Sequence, residues 1–527
     1  MAQMVCVNKH NEARKRPRQH LQWGSHPETH RSIGLQAAPS NSAKLCLILT
    51  VCQIFQGPVQ TIKMTDHSHN NPWEPNKAIF QTMPDYVASR YYPARIGEIF
   101  KDRYQIVGKL GFGASSTVWL ARDMNCRCYV TLKIFIKSAS MGQQLDDELQ
   151  MYKRMERGSK NHPGRSAVRS LLDSFDVDGP EDKHRCLVHP PLWDSVLTFL
   201  HRNPEQRLPA PVLAFVLKRL FLALDYLHTE CQIIHADIKA DNIMFGIADD
   251  SVFSEFEENE LQFPCPRKEL DGRTIYVSRE LRMPRNWGAP VLCDFGSAVP
   301  GGTEHTEDIQ PNIYRAPEVI LEVPWTYSVD IWNVGCMGES LFTGYDPESH
   351  TYRSRAHLAE IIKLLGPPSP SLLARGKLSH KFFSDEGKPM PLSFQYPLTL
   401  SNVIDDLCAK VLSEGRIPLE KRETTLQGQD KADFLRLMLK MLQWDPANRS
   451  SARELQEDEW ICKTLESAHY LTTQNRQSGH PWIITNSVFP ASKSPSMDQY
   501  KPSCNIHDLT TKGHIQSTPY TEYRSTI

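Results

Sequence analysis

The chain has 527 residues, with 60 Lys and Arg against 61 Asp and Glu, a net charge of -1. That balance argues against a dedicated nucleic-acid-binding protein, which carries a basic excess, while leaving room for a local charged groove. At 40% hydrophobic and 23% charged the chain is globular overall and can bury a large core, which excludes a wholly disordered polymer.

Residues 1 to about 90 show no sustained periodicity and read as a disordered N-terminal extension. The extension is basic: residues 1–64 hold eight Lys or Arg and two Asp or Glu, including the run Arg14-Lys15-Arg16-Pro17-Arg18. A solvated tail explains that run more simply than a nuclear address does. The longest apolar stretch, Leu45 to Phe55, falls far short of the roughly 20 residues of a spanning helix, so no membrane association is expected. Thirteen Cys are scattered, with Cys126 and Cys128 the closest pair and no C-x-x-C spacing. They read as reduced thiols of the cytosol or nucleus.

From Tyr104 to Leu120, short apolar runs broken by glycine predict a strand, a glycine turn and a second strand. The turn reads Gly111-Phe112-Gly113-Ala114-Ser115-Ser116-Thr117-Val118. Its glycines let a backbone approach phosphates and offer N–H donors. Taken alone, an ordinary hairpin turn is the simpler reading. Val130 to Phe135 predicts another strand and contains Lys133. A lysine in an apolar strand is costly unless paired, and Glu148 on the predicted helix Leu145–Met155 is a candidate partner, though a lysine on an edge strand with its ammonium in water explains the pattern at least as well. From Ala210 the spacing puts Leu213, Leu217, Leu220, Leu224 and Leu227 on one helical face, and Pro211 suits a first helical turn.

The string His235-Ala236-Asp237-Ile238-Lys239-Ala240-Asp241-Asn242 lies between the apolar runs Ile233-Ile234 and Ile243-Met244-Phe245. An Asp, a Lys two residues on and an Asn five on supply a general base, a phosphate clamp and a metal ligand for phosphoryl transfer. Val291-Leu292-Cys293 leads into Asp294-Phe295-Gly296, where an Asp at a strand end can aim its carboxylate at a metal. Tyr314-Arg315-Ala316-Pro317-Glu318, Asp330-Ile331-Trp332-Asn333-Val334-Gly335 and Asp445-Pro446-Ala447-Asn448-Arg449 follow. Residues 246–290 read as an insert, and its run Asp249 to Glu260, six acidic residues and no basic one, as a solvated loop. Residues 466–527 read as a disordered tail, since 16 of the last 57 residues are Ser or Thr.

In this order the motifs resemble the eukaryotic protein kinase family over about residues 95–465, closest to the fungal SR-protein-kinase-like group. The group resemblance rests on His305-Thr306-Glu307-Asp308-Ile309-Gln310, on the long insert after Asn242, and on the helical segment after Ala356. It implies an α+β, bilobal protein-kinase fold, with a small β-rich N-lobe over 95–192 and a larger helical C-lobe over 193–465. It also implies a serine/threonine kinase that uses ATP and Mg²⁺ on protein substrates, Arg-Ser-rich splicing factors among them. Such a kinase acts as a monomer in the cytoplasm, the nucleus or both, without binding nucleic acid directly.

By the same resemblance Asp237 receives the substrate hydroxyl proton and Lys239 steadies the γ-phosphate, while Lys133 holds the α/β-phosphates and pairs with Glu148. Gly111, Gly113, Ala114, Ser115, Ser116 and Val118 cover the nucleotide, Leu192 lies at its hinge, and Asn242 and Asp294 ligate Mg²⁺. Glu318 pairs with Arg449, and Asp330 hydrogen-bonds the catalytic-loop backbone.

Some positions depart from the family pattern. Ala236 stands where many kinases carry an Arg that meets an activation-segment phosphate, so activity is expected not to need phosphorylation at Thr303 or Thr306. Thr131 replaces the usual Ala beside adenine, and Pro190-Pro191 remove two hinge donors. The helix after Asp330 is short by roughly six residues, about 9 Å at 1.5 Å per residue. Residues 388–412 also look atypical. These last two features point to a misassigned splice boundary or a variant form, so an inactive, scaffold-like isoform is the alternative.

Overall fold

The computed structural model describes residues 87–477, except 142, 204–205, 271, 338–340, 347–348 and 384–418. The expected N-terminal extension lies almost wholly outside the described residues, as do the atypical 388–412 segment and the tail beyond 477.

The first half of the fold is an antiparallel sheet of six strands. These are β1 (Ile99–Phe100), β2 (Tyr104–Phe112), β3 (Ser116–Asp123), β4 (Cys128–Phe135), β5 (Asp173–Asp178) and β6 (Lys183–His189), in the order β1-β2-β3-β4-β6-β5. Side chains alternate across a strand, so each face gathers its own residues. One face buries Ile106, Trp119, Ala121, Val130, Leu132, Ile134 and Val188 in a cluster of its own. The other face sends Leu120, Phe135 and Leu187 into the larger core, where Met151, Tyr152 and Met155 of helix α1 (Gln143–Arg157) meet them. Lys133 belongs to this second face, and its strand is interior to the sheet rather than at an edge.

The second half is helical. Helix α2 (Val196–Arg202) is capped by the Ser195 hydroxyl, which accepts from Thr198 N. Helix α3 (Ala210–Asp225) starts with Pro211 in its first turn. Leu217, Leu220, Leu224 and Leu227 are buried, but so are Val212, Ala214, Phe215, Val216 and Phe221, so α3 is buried nearly all round. A single π turn, Tyr226–Cys231, extends it and ends at Gln232 in the left-handed region. Two short hairpins follow on which the site is built. β7 (Ile233–Ile234) leads to β8 (Ile243–Ile247), which pairs antiparallel with β11 (Trp287–Leu292), and β12 (Val299–Pro300) returns to β7.

Helix α5 (Ser328–Cys336) has only nine residues, and every one from Val329 to Cys336 is buried. Trp332 stacks flat on Phe342, with ring centroids 5.8 Å apart and planes 3° apart. The short helix therefore still delivers its large side chains, with Leu341 and Phe342, into one core cluster. Near its end Gly335 packs against Leu442, which would lie 2.8 Å from a Cβ there and would have to shift to admit one.

The insert departs from expectation. Its acidic run is not a solvated loop: Ser251–Gln262 is helix α4, with Val252, Phe253, Phe256 and Glu260 buried. Val252, Phe253 and Phe256 recur at helical spacing, and Glu260 on the same side is buried against Arg279 at 2.9 Å, so the stripe decides the structure while most of the other acids lie toward the surface. Phe256 lies against Gly108 of β2, Phe253 packs on Tyr129, and Glu257 accepts from Arg122 Nε (2.8 Å) and Tyr129 OH (2.7 Å). The β9 (Arg267–Leu270) and β10 (Arg273–Tyr276) hairpin continues over the sheet. There Lys109 Nζ donates to Tyr276 O at 3.1 Å, and burial pushes the Lys109 ammonium down to about 8. The insert thus leaves the second half at β8, crosses the strands of the first, and returns through β11.

At the other end, helix α8 (Glu459–Gln477) carries the chain past residue 465, so the expected end of the folded part falls inside a helix. Ala468 is still buried there, because the Ser/Thr-rich composition sets in only beyond it.

If α4 is part of the fold, Phe256→Ala lowers stability by about 3–5 kcal/mol, the range for removing a buried aromatic ring. Phe263→Ala, which alters an exposed ring on the same insert, changes stability by less than about 0.5 kcal/mol. Denaturant unfolding of the two variants measures the difference.

Candidate active site

The catalytic-loop string is shaped from beneath by one buried carboxylate. Asp330, in the first turn of α5, is fully buried. It accepts from His235 N and Ala236 N, both at 2.8 Å, and lies 2.9 Å from His228 Nε2. Ala236 has φ 62°, a left-handed conformation costing an L-residue roughly 1–2 kcal/mol. The two backbone bonds to Asp330 hold the loop in that shape.

Three side chains then converge. Asp237 Oδ2 accepts from Lys239 Nζ (2.8 Å) and from Asn242 Nδ2 (3.0 Å). Asn242 Nδ2 also reaches Asp237 O at 2.9 Å. The β8–β11 register aligns Ile243 with Leu292, so the residues flanking that pair, Asn242 and Cys293, meet next, with Cys293 N donating to Asn242 O at 2.8 Å. This places Asp294 beside Asn242 at the end of the strand pair. Asp294 has φ 64°, and Phe295 behind it is buried between Tyr152 and His235.

Lys133 meets the same point from the first half of the fold. Its Nζ lies 3.1 Å from Glu148 Oε1 on α1 and 3.0 Å from Asp294 Oδ1. Burial opposes the charge on Lys133, but Glu148 and Asp294 override it and hold the ammonium above its ordinary value. In turn the Lys133 charge keeps the Asp294 carboxyl well below the usual carboxylate range.

The glycine turn lies over the same face. Gly111 pairs with Val118, and Val118 stands directly opposite Lys133 in the β3–β4 register. A Cβ at Gly111 or Gly113 would meet nothing within 4 Å, so the backbone there is open to a ligand. Ala114 and Ser115 form the tip, Gly113 N donates to Ser116 O, and Ser115 O accepts from Ile136 N. Leu192 is half-buried on the connection between β6 and α2.

Several further contacts join this site to distant segments. Tyr91 OH donates to Gly113 O (3.0 Å) and Ala114 O (3.1 Å), anchoring the turn from outside the sheet. Thr131 Oγ1 and His189 Nε2 are buried without a hydrogen-bond partner, on residues paired across β4 and β6. Both residues share the sheet face of Lys133. Two unpaired polar atoms beside an ammonium fit the edge of a polar ligand. Gln310 donates through Nε2 to Val329 O (2.9 Å) and accepts at Oε1 from Ala316 N (2.8 Å), so one amide pins the segment before Pro317 to α5. Thr131 and Gln310 stand out in the sequence, but these contacts do not, because each joins segments distant in sequence.

Glu318 and Arg449 form a fully buried pair, with Nη2 to Oε2 at 2.7 Å, and Arg449 lies over the Trp332 ring at 5.0 Å. The segment between Pro300 and Ala316 is held by contacts of its own side chains. His305 stacks on Trp325 at 4.7 Å, and Arg315 pairs with Asp308 at 3.2 Å.

The protein kinase domain family matches residues 104–264 and 283–461, so its pattern skips the hairpin region of the insert. A serine/threonine protein kinase of Aspergillus fumigatus is 38% identical over 391 residues, covering 72% of this chain and 90% of the relative. A serine/threonine-protein kinase of Physarum polycephalum, named SRPK, is 30% identical over 400 residues, covering 72% and 90%. A solved kinase domain aligns with a TM-score of 0.52 at 21% identity, over 71% of this chain and 99% of that one, a likeness of fold alone.

Removing one member of the buried ion pair strands the other. Arg449→Ala therefore lowers stability by about 3–5 kcal/mol. Equilibrium unfolding of the variant checks this, and a loss below about 1 kcal/mol would show the pair to be solvated instead.

Proposed function

The chain belongs to the protein kinase family, as a serine/threonine kinase of the SR-protein-kinase-like group, and we propose that it transfers the γ-phosphate of ATP to serine hydroxyls of basic, Arg-Ser-rich proteins. The observation that carries the reading is the convergence of Lys133, Glu148 and Asp294 beside Asp237, Lys239 and Asn242. Phosphoryl transfer asks little covalent chemistry of a protein beyond positioning and charge neutralisation.

In this reading Asp237 accepts the proton of the attacking serine hydroxyl. Lys239, held at 2.8 Å from it, neutralises charge on the transferring group. Lys133 binds the α/β-phosphates and is itself oriented by Glu148. The open backbone at Gly111 and Gly113, with Ala114, Ser115, Ser116 and Val118, covers the nucleotide, and Leu192 lines the base side. Asn242 Nδ2 is engaged by Asp237, which leaves its Oδ1 as the donor that would face a metal. That Oδ1 and the Asp294 carboxylate would hold Mg²⁺, a hard ion suited to oxygen donors. The metal supplies charge neutralisation on the phosphate oxygens.

The substrate class rests on charge. The activation segment exposes Glu304, Glu307 and Asp308, of which Asp308 also pairs with Arg315 and Glu307 lies against His305, an acidic stretch suited to arginine side chains. No helix among the described residues is long and apolar enough to cross a membrane. Action on protein substrates as a monomer, in cytoplasm and nucleus, completes the proposal. The scaffold alternative drew on the short α5, but that helix keeps Asp330 and Trp332 buried in place.

Purified chain with Mg-ATP phosphorylates an Arg-Ser repeat peptide, and Asp237→Ala lowers turnover by roughly 10²–10⁴-fold while leaving ATP affinity within a few-fold. Transfer to other basic peptides alone would remove the substrate class. Absence of transfer by folded protein would favour the scaffold. Independently, Thr303→Ala keeps wild-type turnover in the same assay, since Ala236 offers a phosphate no guanidinium; a large loss would restore a phosphorylation switch.

A further inference from the structure

The segment ahead of the sheet and the hairpin of the insert meet at one tyrosine. Tyr91 is buried, and its hydroxyl proton is shared between Gly113 O (3.0 Å) and Ala114 O (3.1 Å), the carbonyls at the tip of the glycine turn. Backbone contacts hold the two partners side by side. Just past β4, Lys137 N donates to Arg90 O (2.9 Å) while Ile136 N donates to Ser115 O (2.9 Å). The tyrosine's own segment and the glycine turn are thus both tied to the end of one strand.

The hydroxyl controls which way the amides of the turn face. In a trans peptide the C=O and the N–H point in opposite directions. Gly113 O shares its peptide plane with Ala114 N, and Ala114 O shares its plane with Ser115 N. Holding both carbonyls toward Tyr91 therefore turns both N–H groups away from it. Neither amide has a backbone acceptor among the described residues. Successive N–H donors of this kind make a cradle for phosphate oxygens. Ala114 is exposed, so packing at the tip does little to fix the two planes once the hydroxyl is removed.

The insert reaches the same tyrosine from the far side. Arg273, the first residue of β10, donates through Nη1 to Tyr91 O (2.8 Å) and to Ala88 O (3.4 Å). Tyr276, the last residue of β10, accepts at its hydroxyl from Ile96 N (3.4 Å). One strand of the insert thereby holds the segment from Ala88 to Ile96 near both of its ends.

We infer that Tyr91 is a positioning residue for the phosphates of ATP, acting through the Ala114 and Ser115 amides, and that Arg273 of the insert holds Tyr91 in place. The inference rests on the proposed role of the glycine turn in covering the nucleotide. It gives the insert a part in nucleotide binding as well as in packing. The effect is confined to the phosphate end of the nucleotide, because the contacts run to the turn and not to the β4–β6 face that carries Thr131 and His189.

The test compares binding of Mg-ATP and of adenosine to the full chain by titration calorimetry. Adenosine has no phosphates and reports the base side alone. Tyr91→Phe keeps the ring and removes the donor, so it weakens Mg-ATP by about fivefold, the worth of one hydrogen bond, and leaves adenosine affinity within about twofold. Arg273→Met weakens Mg-ATP with the same selectivity, and Tyr91→Phe/Arg273→Met binds no more weakly than Tyr91→Phe, because the two residues act in series. Wild-type affinity for Mg-ATP in Tyr91→Phe, or an equal loss for both ligands, would overturn the inference while Mg-ATP binding by the wild type leaves the nucleotide reading standing. A folded wild type that binds neither ligand would overturn that reading and the inference with it. Additive losses in the double variant would remove Arg273 from the arrangement. Should Tyr91→Phe not fold, unchanged Mg-ATP affinity in Arg273→Met overturns the inference equally.

Discussion

One ammonium group holds the two halves of this protein in register. Lys133 sits on an interior strand, where an unpaired charge would cost several kcal/mol of desolvation. It escapes that cost through two carboxylates from different places, Glu148 on α1 and Asp294 at the end of β11. Sheet, helix and β8–β11 hairpin must all be in position for both contacts to form. The same contact sets the electrostatics of the candidate site, because the lysine that keeps Asp294 ionised is stabilised by it in return.

Beneath that contact lies a layer of buried polar groups that shape backbone rather than touch ligands. Asp330 accepts two backbone N–H groups of the catalytic loop and offsets the left-handed strain at Ala236. Glu318 and Arg449 join distant parts of the second half, while Gln310 ties the activation segment to α5. These interactions are made inside the folded chain, between its own side chains and backbone. An alanine at 236 is consistent with this arrangement, since it presents no charge that would have to be matched.

The insert supplies a second connection between the halves. Phe256 fills the space left by Gly108, Glu257 takes Arg122 and Tyr129, and Tyr276 covers Trp119 and accepts from Lys109. Burial of Phe253 and Phe256 gives α4 a reason to fold on the sheet that it would lack alone, since isolated helices of twelve or so residues are marginal in water. Its acidic surface is what remains once the apolar stripe has been spent on packing.

Local chemistry was legible in the sequence. The glycine turn, the lysine strand, the string from His235 to Asn242 and the Asp-Phe-Gly turn each carry their residue types at fixed spacing on short stretches of chain, and the fold brings their side chains together. Even the partnership of Glu318 with Arg449 could be expected from motif order. Long-range contact was not legible. That Phe256 finds Gly108, that Tyr91 reaches the glycine turn, that Gln310 bridges Val329 and Ala316, and that Thr131 and His189 are left unpaired side by side all depend on segments far apart in sequence. The acidic run of the insert shows the difference most directly. By itself it determined only that one surface would be charged. Val252, Phe253 and Phe256 stand at helical spacing among those acids, but only the hydrophobic face of the sheet, far away in sequence, gives that stripe something to bury against.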